Sequence, residues 1–258
     1  MDALPKPGLR VVILGGTAGV GLETGAQFAQ HGARVLLLGR NNERGVAARE
    51  AVRARVPDAE VYFLSADTLD PAEATGAEER CRERLGGIDV LVTTVGPSAP
   101  PRLVHTIAIE DVAPRIEEIL LPAVHMIHAT LPAMRAQRSG SIIAVASDAA
   151  KLATPGETLV GAAMAAIVMY CKAAALEAKR EGVRINILTP SLIGNTPGAA
   201  LIAGEPFSNK MFEKAASLAH LGLVHSEDLA AMTLYLASPA AARITGQAIS
   251  INGGISIA

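Results

Sequence analysis

Residues 10–21 read RVVILGGTAGVG. The first half is a short aliphatic run closed by glycines, which is typical of a strand buried on both faces. Gly15, Gly19 and Gly21 then stand at the first turn from a strand to a helix. Glycine permits a tight turn there and lets the backbone approach a pyrophosphate, while the next helix directs its N-terminal amides at that charge. Because the spacing is G-x-x-x-G-x-G and not G-x-G-x-x-G, the glycines alone indicate either a dinucleotide site or only a turn.

The rest of the chain repeats the alternation of strand and helix. Strand-like apolar runs recur at 33–39, 60–67, 88–96, 141–147, 183–190 and 247–253, with helical stretches between them. Strands that are apolar throughout and are joined by helices indicate a parallel sheet covered on both faces. The sequence contains no linker, repeat or low-complexity segment. We therefore expect residues 1–258 to form one α/β domain, a Rossmann-type doubly wound parallel sheet of about seven strands with helices on both faces.

The composition excludes several classes of protein. Of the 258 residues, 50% are hydrophobic and 19% are charged, and the net charge is −2 without a long run of one sign. This balance argues against nucleic acid and against a membrane surface as partners. The longest apolar run, 158–171, is shorter than the about 20 residues that a membrane helix needs. The two cysteines suggest no disulfide framework and the N-terminus has no signal-like apolar segment, so we expect a soluble, cytoplasmic protein.

The end of the second strand bears on the choice between NAD(H) and NADP(H). A carboxylate at that position would hydrogen-bond the ribose 2′-hydroxyl of NAD(H). This chain has Gly39 followed by Arg40, and an arginine can pair with a 2′-phosphate. We therefore expect NADP(H) to be preferred over NAD(H), the alternative being that Arg40 is a solvated surface residue. Ala18 in the glycine loop adds no second positive charge, so the expected preference is a moderate one.

Motifs along the whole chain resemble those of the short-chain dehydrogenase/reductase family. LGGTAGVG (14–21) is similar to the family's T-G-x-x-x-G-x-G, and VTTVG (92–96) to its N-N-A-G, with threonines in place of both asparagines. SIIAVAS (141–147) resembles the strand that carries the family's catalytic serine. RINILTPS (184–191) is similar to its R-V-N-x-x-x-P-G strand, and ITGQAISINGG (244–254) to its closing T-G-Q…D-G-G. The resemblance implies the Rossmann fold and a nicotinamide cofactor.

The resemblance also implies which residues bind the cofactor. They lie in the glycine loop and at the ends of the following strands: Gly15, Thr17, Ala18, Gly19, Val20, Gly21, Gly39, Arg40, Asn41, Asp67, Thr68, Val95, Gly96, Pro190 and Ile193. Asp67 resembles the acid that contacts the adenine amine in the family. The segment 195–220 is implied to be a lid over the substrate, and its Leu201, Phe207 and Met211 favour a small, apolar one.

The family's catalytic set is Asn, Ser, Tyr and Lys, and only the serine has a counterpart here. In the family, Tyr exchanges a proton with the alkoxide, Lys lowers the tyrosine pKa and holds the ribose, Ser orients the carbonyl, and Asn supports a relay water. Ser147 occupies the serine place. Val160 occupies the tyrosine place and Met164 the lysine place. Counting back from Pro132 puts Ile119 in the asparagine place.

A shifted alignment does not restore the Tyr–Lys pair. Tyr62, Tyr170 and Tyr235 are each followed four residues later by alanine or proline. Tyr170 would lie about 15 Å beyond Val160 along a helix and on another face. Lys172 is displaced from the lysine place by about 12 Å in the same way. Carbonyl reduction through the family's Tyr–Lys pair is therefore not available to this chain.

Several functions remain open. The chain is either an NADP(H)-dependent oxidoreductase with a non-standard proton donor or a non-catalytic, nucleotide-binding relative that acts as partner subunit, sensor or scaffold. No motif favours a third function, a lyase or cyclase. Ser147 is either catalytic or only a strand-end hydroxyl. Asp148, Lys151 or Glu157 could replace the missing acid, and each is otherwise a solvated loop charge.

The predicted helix 157–181 is rich in alanine and glycine, which allows close helix contact. The resemblance implies that this helix packs across subunits, so we expect a homodimer or homotetramer. The alternative is a tight fit of the same helix within one chain. The other partner we expect is a small-molecule substrate. The spacing of His, Cys and acidic residues does not match that of metal ligands, so the sequence predicts no metal site.

Overall fold

The computed structural model of the protein describes residues 4–258. Within these residues the strands are β1 Arg10–Leu14, β2 Arg34–Gly39, β3 Val61–Ser65, β4 Val90–Thr93, β5 Gly140–Val145, β6 Val183–Pro190 and β7 Ala248–Ile251. The α-helices are α1 Gly19–Gln30, α2 Asn42–Arg55, α3 Pro71–Leu85, α4 Val112–Ala136, α5 Thr158–Ala178, α6 Pro197–Ala203, α7 Pro206–Ala216 and α8 Ser226–Ala237. Strand and helix alternate as the sequence predicts.

All neighbouring strands of the sheet run parallel, in the order β3-β2-β1-β4-β5-β6-β7. The chain moves outward from β1 to β3, then returns to place β4 on the other side of β1. In open α/β sheets, ligands bind outside the carboxyl ends of the strands at such a reversal. The predicted fold, a seven-stranded doubly wound sheet in a single domain, is confirmed.

The strands are buried on both sides because helices cover both faces of the sheet. In β1, Val12 and Leu14 belong to the core that α3, α4 and α5 close, while Val11 and Ile13 belong to the core of α1, α2 and α8. These four side chains are at most 3% exposed. Complete burial of an aliphatic side chain stabilises the fold by about 1.5–3 kcal/mol, so the apolar run of β1 fixes this strand in the centre of the sheet.

Helix α5 is long and apolar. Together with the turn that follows it, Thr158–Glu181 has 24 residues, which by length and composition alone is enough to cross a membrane. The sequence-based prediction that this run is too short was therefore wrong, since the helix continues past the apolar stretch. Its packing is that of a core helix: Ala163, Ile167 and Cys171 are at most 1% exposed and lie in the core beside α4 and the sheet.

Candidate functional site

A cleft of about 810 Å³ lies at the carboxyl ends of the central strands. This volume is within the range of pockets that enclose small molecules and cofactors. Every predicted cofactor residue except Gly21 lines the cleft. Ser147, Val160 and Met164 line it as well, so one cavity joins the predicted cofactor residues to three of the four catalytic places. Ile119, the fourth, instead lines a small adjoining cavity that it shares with Val160.

The glycine loop forms one end of the cleft. Gly15 and Gly19 have φ angles of +79° and +49°, which favour glycine. A side chain at Gly21 would bring its Cβ within 2.4 Å of the Gly15 carbonyl oxygen, so this residue closes the loop from behind and does not face the cleft. Helix α1 begins with Ala18 as N-cap, without a side-chain cap or an acidic residue in its first turn. Its first amides remain available to an anion, and the donor set fits a pyrophosphate.

Two arginines border the cleft beside β2. The Arg40 guanidinium lies 3.9 Å from the Asp67 carboxylate and its side chain is 67% exposed, so this ion pair is loose. Arg44 also lines the cleft. Asn41 accepts a hydrogen bond from the Arg44 amide (2.9 Å) and so begins α2 with Arg44 in its first turn. Arg44 is thus a second positive charge beside the one predicted at Arg40, and the N-cap pattern of Asn41 is the signal that could have revealed it.

Thr94 ties β4 to the glycine loop. Its backbone amide and its hydroxyl both donate hydrogen bonds to the Leu14 carbonyl oxygen, at 2.9 and 3.0 Å. The next turn opens towards the cleft, because a Cβ at Gly96 would have no atom within 4 Å. The threonine that replaces an asparagine of the family motif thus fixes the loop geometry beside β1 and leaves room past Gly96.

The side chains at the positions of the family's Asn, Tyr and Lys form an apolar wall. Ile119 and Met164 are 1% and 3% exposed and belong to the core that α4 and α5 share with the sheet, and Val160 packs against that core. Ser147 is half-buried, and its Oγ accepts a hydrogen bond from the Ala149 amide at 3.2 Å. The serine proton is therefore available to a ligand. Tyr170, which does not line the cleft, cannot take the place of the missing tyrosine.

Asp148 and Lys151 are held in a structural network. Asp148 is 5% exposed and accepts hydrogen bonds from Asn252 and from Ser256 (2.7 Å). The Lys151 ammonium lies 3.7 Å from Asp148 and donates to Ser250. The interpretation of these two residues as solvated loop charges was wrong, because the C-terminal stretch folds over the turn after β5. It buries Asp148 and covers most of the Lys151 side chain.

Glu157 has a different environment. It is half-buried at the N-cap of α5 and lines the cleft with Ser147 and Val160. Burial, together with the nearby negative charge of Asp148, raises the pKa of the Glu157 carboxyl to about 7, while a hydrogen bond from Thr154 acts in the opposite sense. A carboxyl group that titrates near neutral pH in a cleft is suited to proton transfer.

Segment 195–220 covers the other end of the cleft with α6 and α7. Leu201 lines the cleft as predicted, whereas Phe207 and Met211 do not. Phe207 packs on Gly156, where a Cβ would lie 2.7 Å from its ring. Phe212, which is 9% exposed, lines the cleft instead. The wall is apolar as expected, but the packing of α7 decides which of its side chains form it.

The described residues offer this cleft neither a reactive cysteine nor a set of metal ligands. Cys81 and Cys171 are buried and free, and burial raises the pKa of each thiol to about 12. A thiol in this state is not a nucleophile at neutral pH. Among the described residues, no group of three or more His, Cys, Asp or Glu side chains is arranged to hold a metal ion.

Comparisons with known proteins agree with this geometry. A family model described as enoyl-(acyl carrier protein) reductase matches residues 15–256. An uncharacterized oxidoreductase of Mycobacterium tuberculosis is 30% identical over 245 residues, which cover 95% of this chain and 90% of that protein. A bovine dehydrogenase/reductase, SDR family member 7B, is 33% identical over 150 residues, but the match covers only 56% of this chain and 46% of the bovine protein.

Solved structures show the same architecture. Levodione reductase superposes with a TM-score of 0.90 at 25% identity, covering 96% of this chain and 98% of that one. A variant of actinorhodin polyketide ketoreductase, solved with NADPH, superposes with a TM-score of 0.87 at 25% identity over 96% of this chain and 97% of that one. On the match of the family model and of these relatives, the chain belongs to the short-chain dehydrogenase/reductase family.

Proposed function

We propose that the protein is an NADP(H)-dependent oxidoreductase that acts on a small, apolar substrate without a tyrosine acid. The observation that carries this proposal is the cleft itself, which the uncapped N-terminus of α1 and the two arginines Arg40 and Arg44 line together. Membership of an oxidoreductase family supports the reaction class. The NADPH in the polyketide ketoreductase structure supports the cofactor by analogy.

Each part of the cofactor has candidate residues in this chain. The α1 amides next to Gly19 would hold the pyrophosphate, and Asp67 would contact the adenine. Arg40 and Arg44 would pair with the 2′-phosphate, since guanidinium groups bind phosphate through charge-assisted hydrogen bonds. When bound, the cofactor supplies or accepts a hydride. Because Met164 offers no ammonium to the nicotinamide ribose, we expect an NADPH dissociation constant in the micromolar range or weaker.

The substrate end of the cleft is apolar. Val160, Met164, Leu201 and Phe212 line it, and segment 195–220 would act as the lid over the bound substrate. An activated C=C or C=N bond, or a ketone, fits these walls, with Ser147 as the hydrogen-bond donor to the reacting polar atom. The protein would work in the cytoplasm, where its buried, unpaired cysteines remain reduced, and as a homodimer or homotetramer.

Titration calorimetry with NADPH and with NADH tests the cofactor assignment. Arg40→Ala and Arg44→Ala should each weaken NADPH binding about tenfold, the equivalent of one charge-assisted hydrogen bond, and leave NADH binding unchanged. Arg80→Ala is the matched control, because Arg80 is an exposed arginine on α3 that does not line the cleft. Equal affinities of the natural protein for the two cofactors, or no binding of either, would contradict the proposal.

A non-catalytic, nucleotide-binding relative is the second candidate. It is favoured by the core positions of Ile119 and Met164, which fill the family's polar places with buried apolar side chains. Incubation with NADPH and a panel of ketones, enones and imines separates the two functions. Measurable single-turnover hydride transfer excludes the second candidate. Cofactor binding without turnover, and a co-purifying partner with the ordinary catalytic residues, would favour it.

A further inference from the structure

We propose that Glu157 supplies and removes the substrate proton in this cleft, in place of the tyrosine that the family uses. The inference rests on the proposed oxidoreductase function and names the group that the function lacks. Three acidic side chains near Ser147 and Val160 are candidates for the proton donor. Glu118 and Glu157 line the cleft, and Asp148 directly follows Ser147. Their surroundings differ, and the differences select one of them.

Asp148 and Glu118 are both engaged by other residues. Asp148 is 5% exposed and is surrounded by Asn252, Ser256 and Lys151. Glu118, on α4, accepts hydrogen bonds from the Ser98 hydroxyl at 2.7 Å and from the Ser98 amide at 3.3 Å. These contacts engage both carboxyl groups with other parts of the fold, so neither is free to contact a substrate in the cleft.

Glu157 forms no ion pair with any described residue, and the one hydrogen bond that favours its ionised form comes from the neutral Thr154. The ion pairs of its surroundings, Lys151 with Asp148 and Arg102 with Glu205, do not include it. The charged groups on the elements packed around it are the buried Asp148 with Lys151, Glu118 across the cleft, and two arginines. Arg102 and Arg115 each have another carboxylate partner, Glu205 and Asp111. A half-buried carboxyl without a cation favours its neutral, proton-donating form.

Glu157 lies three residues before Val160, at the start of α5. Its carbonyl oxygen accepts the Gly161 amide at 2.6 Å, so it belongs to the first turn of α5. Side chains three residues apart in this arrangement have Cβ atoms about 5–6 Å apart. Glu157 and Val160 therefore lie close together at the start of α5, and both line the cleft that Ser147 also lines.

The proton transfer is balanced without a further reagent. In reduction of a ketone, the carbonyl carbon would accept a hydride from NADPH, the C=O π electrons would move to oxygen, and the Glu157 carboxyl would donate its proton to that oxygen. The carboxylate then takes a proton from water in the open cleft. In the oxidising direction the Glu157 carboxylate accepts the hydroxyl proton as the substrate carbon gives up a hydride. Ser147 donates a hydrogen bond to the reacting oxygen in both directions.

The first test measures the carboxyl group itself, without cofactor. Carbon NMR of protein labelled at the glutamate carboxyl should show one group that titrates near pH 7, in agreement with the burial of Glu157. That titration should vanish in Glu157→Gln and persist in Glu79→Gln, since Glu79 is an exposed glutamate on α3, outside the cleft. A Glu157 carboxyl that titrates in the ordinary range of glutamate would overturn the proposal.

The second test measures the reaction with cyclohexanone, cyclohexenone and a cyclic imine as probes. Glu157→Gln should lower kcat for the best carbonyl probe about 10²-fold, the lower end of what a positioned acid contributes. It should keep the NADPH dissociation constant close to that of the natural protein and should not lower the thermal unfolding midpoint, which shows that the cofactor site and the fold are intact. In the natural protein kcat for reduction should fall as pH rises through about 7, and the variant should lose this dependence.

The outcomes separate this inference from the proposed function. Natural protein that binds NADPH and turns over, with Glu157→Gln equally active and Glu79→Gln unchanged, overturns the role of Glu157 alone. Natural protein that does not bind NADP(H), or binds it without turning over any probe, overturns both. A selective loss of kcat in Glu157→Gln, with cofactor binding retained, supports both.

Discussion

Met164 shows how a single side chain changes the chemistry of the cleft. Methionine keeps nearly the length of lysine but removes its charge and its three donors. At 3% exposure this methionine is also part of the core between α4, α5 and the sheet. The cleft therefore has a hydrophobic wall where the family has an ammonium, and a tyrosine at Val160 alone would lack the group that lowers its pKa.

Restoring the pair tests this interpretation. Val160→Tyr with Met164→Lys should tighten NADPH binding about tenfold, because one charge-assisted hydrogen bond to the ribose is worth roughly 1.5–3 kcal/mol. The same double variant should unfold at a lower temperature, since a lysine replaces a buried methionine. Calorimetric titration and scanning calorimetry give both quantities, with Val160→Tyr alone as the control. An affinity that does not change would show that position 164 does not face the cofactor.

The raised pKa of Glu157 predicts a pH-dependent stability. Burial and the charge of Asp148 raise its pKa from 4.5 to about 7 in the folded protein, so between these values the folded state holds a proton that the unfolded state has lost. Stability must then fall as pH rises through this window. Glu157→Gln has no carboxyl to ionise, and it should gain stability relative to the natural protein as pH rises. Thermal unfolding as a function of pH measures the difference, and parallel curves would contradict it.

The glycine loop and the segment after β5 differ in how far the sequence determines them. The loop is local: the strand β1, the positive φ angles of Gly15 and Gly19, and the start of α1 follow from adjacent residues, and the sequence predicted them. The burial of Asp148 depends on residues about a hundred positions away in the chain, at Asn252 and Ser256. Contacts over such separations leave no local pattern, which is why Asp148 and Glu157 could not be told apart before the fold was known.

Substitution of the loop glycine tests its close packing. Gly21→Ala should abolish measurable NADPH binding and destabilise the fold by about 1–3 kcal/mol, since its Cβ would collide with the Gly15 carbonyl oxygen. Gly76→Ala is the matched control, because a Cβ at this α3 position meets no atom within 4 Å. The control should be stabilised by about 0.5–1 kcal/mol. Chemical denaturation of both variants provides the comparison, and equal effects would refute the packing argument.

At the scale of the whole molecule, the outer side of α5 is an apolar surface that the fold leaves exposed. The parallel sheet and its cover of helices on both faces were predicted from apolar strands and helical spacing, because these patterns hold for any chain that buries a parallel sheet on both faces. The resemblance to the family implies that α5 packs against another subunit. Only 39% of the most apolar 18-residue stretch within Thr158–Glu181 is buried in the chain, and the side chains of Met169 and Leu176 are 66% and 67% exposed. A surface of this kind is typical of contact with another subunit.

Self-association through α5 is the prediction that follows. Met169 and Leu176 are seven residues apart and so lie on one helix face. Met169→Lys with Leu176→Lys should convert a dimer or tetramer into a smaller species in sedimentation velocity, because two buried ammonium groups would face each other across the contact. Lys172→Ala, on the same exposed side of the helix, is a control that removes a charge and should leave the assembly intact. Natural protein that sediments as a monomer would contradict this prediction, and its recovery with phospholipid vesicles would instead assign the apolar face to a membrane.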